Sequence, residues 1–286
     1  MEKYVGRFAP SPTGDLHQGS LVCALASYLD ARAHNGSWLI RIENIDPPRE
    51  KENAIAHQLR ILDILEMHSD EPILYQSSRL DAYEDALEYL KKQGKAYGCC
   101  CTRKSIEEEQ KKKGLDPHVY PGTCRKGLNG HAARSWRFLV PEGVTSFKDR
   151  WVGEVFSQDL ETEVGDFVLK RADGLWAYQL AVVVDDAFQG VTHIVRGADL
   201  LDNTPRQIAL QNALNVPTPI YMHVPLVLAA DGLKLSKQNG ATPLREDELD
   251  KALIRAWNHL GFESFSFDGF PDFYRKAIPL WKRRFL

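Results

Sequence analysis

The first 43 residues restrict the fold more than any other part of the chain. Residues 4–8 (YVGRF) have the pattern of a short strand and run into RFAPSPTGDLHQGS, residues 7–20. That loop is stiffened by Pro10 and Pro12 and contains Gly14 and Gly19. Residues 20–34 put Leu21, Leu25, Tyr28 and Leu29 on one helical face, with Gly36 past the end. Residues 38–43 (WLIRIE) read as a second strand, stopped at Asp46-Pro47-Pro48. Strand, helix, strand is the pattern of a parallel pair with a helical crossover.

The alternation continues. Residues 50–67 and 78–93 have helical spacing, the second closed by Gly94. From residue 97 to about 165 the rhythm breaks into cysteines, a charge run (EEEQKKK, a solvated helix) and short strands such as 135–140, which reads as an insertion. The apolar run LAVVV, residues 180–184, predicts a strand buried on both faces, and Asp185 and Asp186 after it read as structural or capping residues. Strands are expected at 191–195 and 222–228, with a helix at 205–214 between them. The last 45 or so residues read as mainly helical. The expected fold is therefore α/β, with a Rossmann-type core of parallel sheet and helices on both faces. Its divisions are 1–96 with 166–240 as core, 97–165 as insertion and 241–286 as a short helical C-terminal region.

A net charge of −3 over 286 residues gives no global attraction to nucleic acid, so such contact must be local. Residues 103–137 hold nine Lys/Arg against four acids, and after Asp272 the tail carries only basic charges. No apolar run approaches the ~18 residues of a membrane span. The N-terminus lacks the apolar core of a secretory signal, so a cytoplasmic protein with no membrane partner is expected. Four of the five cysteines fall between Cys99 and Cys124, which suits a metal site in a reducing compartment. Cys-x-Cys plus Cys124 supplies three thiolates, and zinc takes a fourth ligand, for which residue preference offers His118.

A strand, a Pro/Gly loop and a helix N-terminus make a phosphate-binding geometry, in which exposed N–H groups and His17 face an anion. Far along the chain, Lys234-Leu235-Ser236-Lys237-Gln238 sets two lysines three apart, suited to a triphosphate. PSPTGDLHQGS resembles the "HIGH" region of class I aminoacyl-tRNA synthetases, and KLSKQ resembles their "KMSKS" loop. The strings RIENIDPPRE and YQLAVVVDDAFQGVTHIVRGADLLDNTPRQ are similar to the glutamyl branch. Ser20 stands where the signature has its last His, and Gln238 where the loop has its last Ser.

The resemblance implies activation of L-glutamate with ATP and Mg²⁺. His17 and Lys237 would be catalytic, and His17, Gly19, Lys234 and Lys237 would bind ATP. Arg7, Phe8, Ala9, Pro10, Ser11, Glu43, Tyr178 and Arg196 would line the glutamate site, with Glu43 on the ammonium and the arginines on carboxylates. Arg7 and Glu43 could instead pair with each other. Only residues 239–286 follow the lysine loop, short for the helical anticodon-binding region of glutamyl synthetases. With the cysteine cluster, this resembles the glutamyl-queuosine enzymes, which esterify glutamate onto queuosine in the anticodon of tRNA(Asp). That likeness implies one structural Zn²⁺ on Cys99, Cys101, Tyr120 and Cys124, with Cys100 pointing away; no obligate protein partner is evident in the sequence. A truncated synthetase charging tRNA(Glu) and a non-catalytic RNA- or glutamate-binding paralogue are the alternatives.

Overall fold

Strand β1 (Val5–Phe8), helix α1 (Gln18–Ala33) and strand β2 (Ser37–Ile42) form the expected parallel crossover, with Val5 opposite Ser37 and Phe8 opposite Ile40. The structure is a computed structural model that describes residues 3–228 and 242–286. Helix α2 (Ala54–Ile64) leads to β3 (Leu74–Tyr75), which pairs parallel with β2. Helix α3 (Leu80–Lys92) follows. Strand β4 (Ala96–Cys99) and helix α4 (Arg103–Lys113) carry the chain to β5 (Ser135–Phe138). The hairpin β6 (Val144–Lys148) and β7 (Val155–Asp159) comes next, then the short helix α5 (Leu160–Glu163) and β8 (Val168–Lys170). Strands β4, β5 and β8 make a separate antiparallel sheet. Helix α6 (Tyr178–Phe188), β9 (His193–Gly197), α7 (Thr204–Leu214) and β10 (Ile220–Val224) restore the α/β order, with β9 and β10 parallel. Beside β1, the Thr192 N–H donates to the Val5 carbonyl at 2.9 Å, which joins the two parallel sheets. Helices α8 (Leu249–His259) and α9 (Gly269–Phe285) end the chain.

Helix α1 is buried on more than the one face its periodicity marks. Leu21, Leu25 and Leu29 are sealed, but so are Ala24, Ala26, Ala31 and Asp30. The second face is covered by α8 and α9, whose Leu253, Trp257, Phe273 and Trp281 share its core cluster. A helix covered on both sides needs small residues where a neighbour comes close, and the alanines supply them. Asp30 survives burial because four donors reach its carboxylate: Tyr4 Oη at 2.6 Å, Arg150 Nη1 at 2.6 Å and Nη2 at 3.1 Å, and Trp281 Nε1 at 3.0 Å. One side chain thus ties the residue before the first strand, the hairpin turn and the last helix together.

Residues 180–184 correct the sequence reading: they lie inside α6, not in a strand. A five-residue apolar run does not distinguish a buried strand from a buried helix. Leu180, Ala181, Val182 and Val183 are all buried there against Leu87, Leu90, Ala209 and Leu210. The consequence reaches the site, because α6 also carries Asp185 and Asp186 inward. The strands expected at 191–195 and 222–228 each end up displaced by two or more residues, at 193–197 and 220–224.

Candidate active site

The loop after β1 is fixed from two directions. Its Pro10 carbonyl accepts from the Glu43 N–H at 3.0 Å and its Pro12 carbonyl from the Lys51 N–H at 2.9 Å. From α2, the buried Gln58 amide donates to the Ser11 carbonyl at 3.1 Å and to the Gly14 carbonyl at 2.7 Å. The loop then enters α1 through His17, the helix N-cap. Its Nδ1 accepts from the N–H of Gly19 at 3.1 Å and of Ser20 at 3.4 Å. This corrects the expectation of bare N–H groups at the helix start: at Gly19 and Ser20 the imidazole takes them. In the neutral ring, a lone pair used at Nδ1 puts the proton on Nε2. Residue 17 is therefore both a cap and a donor.

His17 faces a cavity of about 540 Å³. Arg7, Phe8, Ala9, Pro10, Ser11, Gly19, Glu43, Tyr178 and Arg196 line it too. Thus every residue assigned from sequence to glutamate or ATP, apart from two lysines, meets in one place. Lys234 and Lys237 lie outside the described residues. Of the described residues before them, Pro225, Leu226 and Val227 line the cavity; of those after, Pro243 forms a β-bridge with His17 and the Leu244 N–H donates to the Leu16 carbonyl at 2.8 Å. Cys23, Asp199 and Leu200 also line the cavity and were not singled out in the sequence.

Arg7 and Glu43 do not pair with each other. Arg7 binds Asp186, with Nε 3.1 Å from Oδ1. Arg41, fully buried on β2, donates to Asp186 Oδ1 at 2.7 Å and to Glu43 Oε1 at 3.2 Å. The result is an alternating row, Arg7, Asp186, Arg41, Glu43, with no net charge. Burial pushes the Glu43 carboxyl above its ordinary value, against the pull of Arg41 and Arg7. Burial also opposes ionisation of Asp186, but Arg41 and Arg7 outweigh it and hold its carboxyl below the usual range. Asp186, read from the sequence as structural or capping, is the buried counter-ion of Arg7 and Arg41, whereas Arg41 was not singled out. A lone arginine in the apolar run WLIRIE was the available signal, since a buried guanidinium requires a carboxylate nearby.

Arg196, on β9, is held differently. Nε donates to His223 Nε2 at 3.1 Å, Nη1 to Gln207 Oε1 at 2.8 Å and to the Tyr178 hydroxyl at 3.5 Å. Nη2 donates to Thr204 Oγ1 at 2.7 Å and to the Leu200 carbonyl at 3.4 Å. Among the described residues no carboxylate pairs with this buried guanidinium: its five N–H groups meet neutral acceptors, the longest contacts being to Tyr178 at 3.5 Å and the Leu200 carbonyl at 3.4 Å, so its charge is not cancelled by a counter-ion. Burial lowers the pKa of the His223 imidazole and Arg196 adds to the effect, against the upward pull of Asp149.

The cysteine cluster lies apart, at the end of β4 and in the segment between β4 and β5. The sulfurs of Cys99, Cys101 and Cys124 are all within 4.8 Å of one another, a group that could hold a metal ion. Tyr120 Oη is 3.3 Å from Cys99 Sγ and 3.6 Å from Cys101 Sγ. His118 is exposed and is not part of the group. Cys100 does not simply point away: its sulfur is 3.7 Å from that of Cys124, although it misses the three-thiol group. Burial pushes the Cys124 thiol up, yet hydrogen bonds from the Cys100 backbone, Tyr120 and Cys101 prevail and bring it to about 7. Burial pushes the Tyr120 phenol well up. Three convergent thiols could hold a metal ion, and the Tyr120 phenol oxygen lies beside two of them.

The fold and the cavity together define a class I aminoacyl-tRNA synthetase core. Residues 3–267 match the family described as tRNA synthetases class I (E and Q), catalytic domain, and the chain belongs to that family. The likeness can be taken further. The chain is 55% identical over 294 residues to the glutamyl-Q tRNA(Asp) synthetase of Burkholderia cenocepacia, covering 99% of this chain and 97% of that protein. It is 57% identical over 265 residues to the one from Cupriavidus metallidurans, covering 91% of this chain and 85% of that protein. Within the class, then, this is a member of the glutamyl-Q tRNA(Asp) synthetase family. Among solved structures, a glutamate tRNA ligase from Elizabethkingia meningosepticum in complex with its amino acid superposes with a TM-score of 0.71 at 27% identity. The match covers 93% of this chain but only 55% of that one, so the chain spans about half the length of the solved ligase. Among the described residues no helix is long and apolar enough to cross a membrane.

Proposed function

We propose that the chain activates L-glutamate with ATP, without RNA, and then transfers the glutamyl group to queuosine in the anticodon of tRNA(Asp). The observation that carries this is the convergence of Arg7, Ser11, Glu43, Tyr178 and Arg196 with His17 and Gly19 on one cavity. Glu43 holds the ammonium. Arg196 and Arg7 face the two carboxylates, Arg196 with no carboxylate partner among the described residues and its long contacts to Tyr178 and Leu200 open to exchange for a substrate oxygen, and the Tyr178 and Ser11 hydroxyls add polar contacts. The α-carboxylate oxygen attacks the α-phosphorus, the bond to the bridging oxygen breaks, and pyrophosphate leaves. Catalysis is positioning and charge stabilisation, with no covalent enzyme intermediate. His17 donates from Nε2 to a phosphate oxygen, and Lys234 and Lys237 balance the phosphate charge. Mg²⁺ enters with ATP and shares that charge.

A single structural Zn²⁺ held by Cys99, Cys101, Tyr120 and Cys124 would fix the polar segment around it. The division into a core of 1–96 and 166–240, an insertion of 97–165 and a C-terminal region of 241–286 belongs to the same reading. Of the basic charges of 103–137, Arg125 is paired with Asp166 and Glu161 and Arg137 is buried, and the exposed remainder, Arg103, Lys104, Lys111, Lys112, Lys113, Lys126 and Arg134, offer themselves to RNA backbone. The deciding experiment presents labelled glutamate with tRNA(Asp) carrying queuosine, tRNA(Asp) lacking it, and tRNA(Glu). Label on the first alone is expected. Label at the 3′ end of tRNA(Glu) would make the chain a short glutamyl-tRNA synthetase instead.

A further inference from the structure

The guanidinium of Arg196 is aimed by a buried pair that no motif marks. His223, on β10, is 3% exposed and accepts from Arg196 Nε through Nε2 at 3.1 Å. An arginine Nε can only donate, so this imidazole must carry its proton on Nδ1. That nitrogen is 2.7 Å from Asp149 Oδ2, which also takes the His223 backbone N–H at 2.9 Å. Asp149 is 1% exposed and sits in the turn of the β6–β7 hairpin. Its other oxygen, Oδ1, accepts the N–H groups of Trp151 at 2.9 Å and Val152 at 3.3 Å. Both carboxylate oxygens are therefore committed, and the acceptor that faces Arg196 is fixed by a residue in a different part of the chain.

We infer that Asp149 and His223 are positioning residues for the amino-acid site: Asp149 locks the His223 tautomer, and the neutral His223 aims Arg196 at a substrate carboxylate without cancelling its charge. The inference rests on Arg196 as the carboxylate holder. A carboxylate in place of the imidazole would pair with the guanidinium and close it to an anion. An imidazole proton on Nε2 would oppose the Arg196 Nε–H and turn the guanidinium away. A carboxylate that holds an imidazole in its working tautomer is a known way for one side chain to act through another.

The test measures glutamate and ATP KM and kcat in ATP–pyrophosphate exchange, with thermal midpoints recorded for each variant. His223→Gln puts an amide oxygen near the place of Nε2 and needs no tautomer, whereas His223→Phe removes the acceptor. His223→Phe and Asp149→Asn are expected to raise glutamate KM about 10-fold, the scale of a lost hydrogen bond, with ATP KM unchanged and most of kcat kept. His223→Gln is expected to remain within about 3-fold of wild type by the same scale. Asp149→Asn should then add little in the His223→Gln background, because the tautomer no longer matters.

Equal KM effects of Asp149→Asn in both backgrounds, no effect in either, or equal KM values for His223→Gln and His223→Phe would overturn the relay. If Asp149→Asn does not fold, the Gln and Phe pair decides. Arg196→Ala separates the two levels. If it leaves glutamate KM unchanged, the reading of Arg196 fails and takes the relay with it. If it impairs glutamate binding while the Asp149 and His223 variants do not, the relay alone fails.

Discussion

The guanidinium of Arg7 donates to both carboxylate oxygens of Asp186, Nε to Oδ1 at 3.1 Å and Nη2 to Oδ2 at 3.4 Å. The same Oδ1 accepts from Arg41 at 2.7 Å. Asp186 thus orients one cavity-lining arginine and neutralises it together with a fully buried one. Removing its charge leaves two guanidiniums with only Glu43 between them. Asp186→Asn is expected to destabilise the fold by about 3–5 kcal/mol, the cost of breaking a buried pair. Urea unfolding at neutral pH measures this. The Asp186 carboxyl lies below its ordinary value in the folded chain, so its contribution is full above the unfolded carboxylate range and is lost as pH falls through the lower folded value. The variant should therefore lose less stability on acidification than wild type.

Glu43 behaves in the opposite way. Burial raises its carboxyl, so in the free protein it takes up a proton at a higher pH than an ordinary glutamate. An ammonium group binds the ionised form. Glutamate KM should therefore rise as pH falls through the raised value, while ATP KM stays level. Glu43→Gln should raise KM by 10-fold or more on the scale of a charged hydrogen bond, and that pH dependence should disappear. A pH series of exchange kinetics on both proteins checks it.

The cysteine cluster makes its prediction through metal content. Purified protein is expected to hold zinc at one ion per chain, and Cys124→Ser to lose it. His118→Ala should keep it, because His118 is exposed and outside the group. Tyr120→Phe should weaken retention against a chelator, because its oxygen is 3.3 Å and 3.6 Å from two of the sulfurs. Elemental analysis before and after chelation reads all three.

Asp30 offers a test of the scaffold alone. Its carboxylate joins Tyr4, Arg150 and Trp281, and it does not line the cavity. Asp30→Ala leaves the Arg150 guanidinium without its partner and should cost about 3–5 kcal/mol. Thermal unfolding should show the loss. At temperatures where the variant is folded, glutamate KM should be close to wild type.

What could be read in the sequence follows from how local each signal was. The β1–α1–β2 unit was legible because a strand, a proline loop and a 3.6-residue period occur within one short stretch. Arg7 and Glu43 were singled out because the glutamyl-branch resemblance implied them; their charge alone left a simple mutual pair open. Residues 180–184 were misread because periodicity is silent in a run where every residue is apolar. That error hid the partner of Asp186, a residue read as structural or capping that a helix, not a strand, carries to Arg7. Asp149 and His223 left no sequence signal at all. They are 74 residues apart, and only the return of the hairpin turn to β10 brings them together.

The central claim is that one cavity holds glutamate beside the α-phosphate of ATP. Glutamate-dependent ATP–pyrophosphate exchange with no RNA present tests it most directly. The account predicts robust exchange with L-glutamate, little with L-glutamine or L-aspartate, and a large loss of turnover in His17→Ala. Exchange that fails without tRNA, or that proceeds equally with any of the three amino acids, would contradict it.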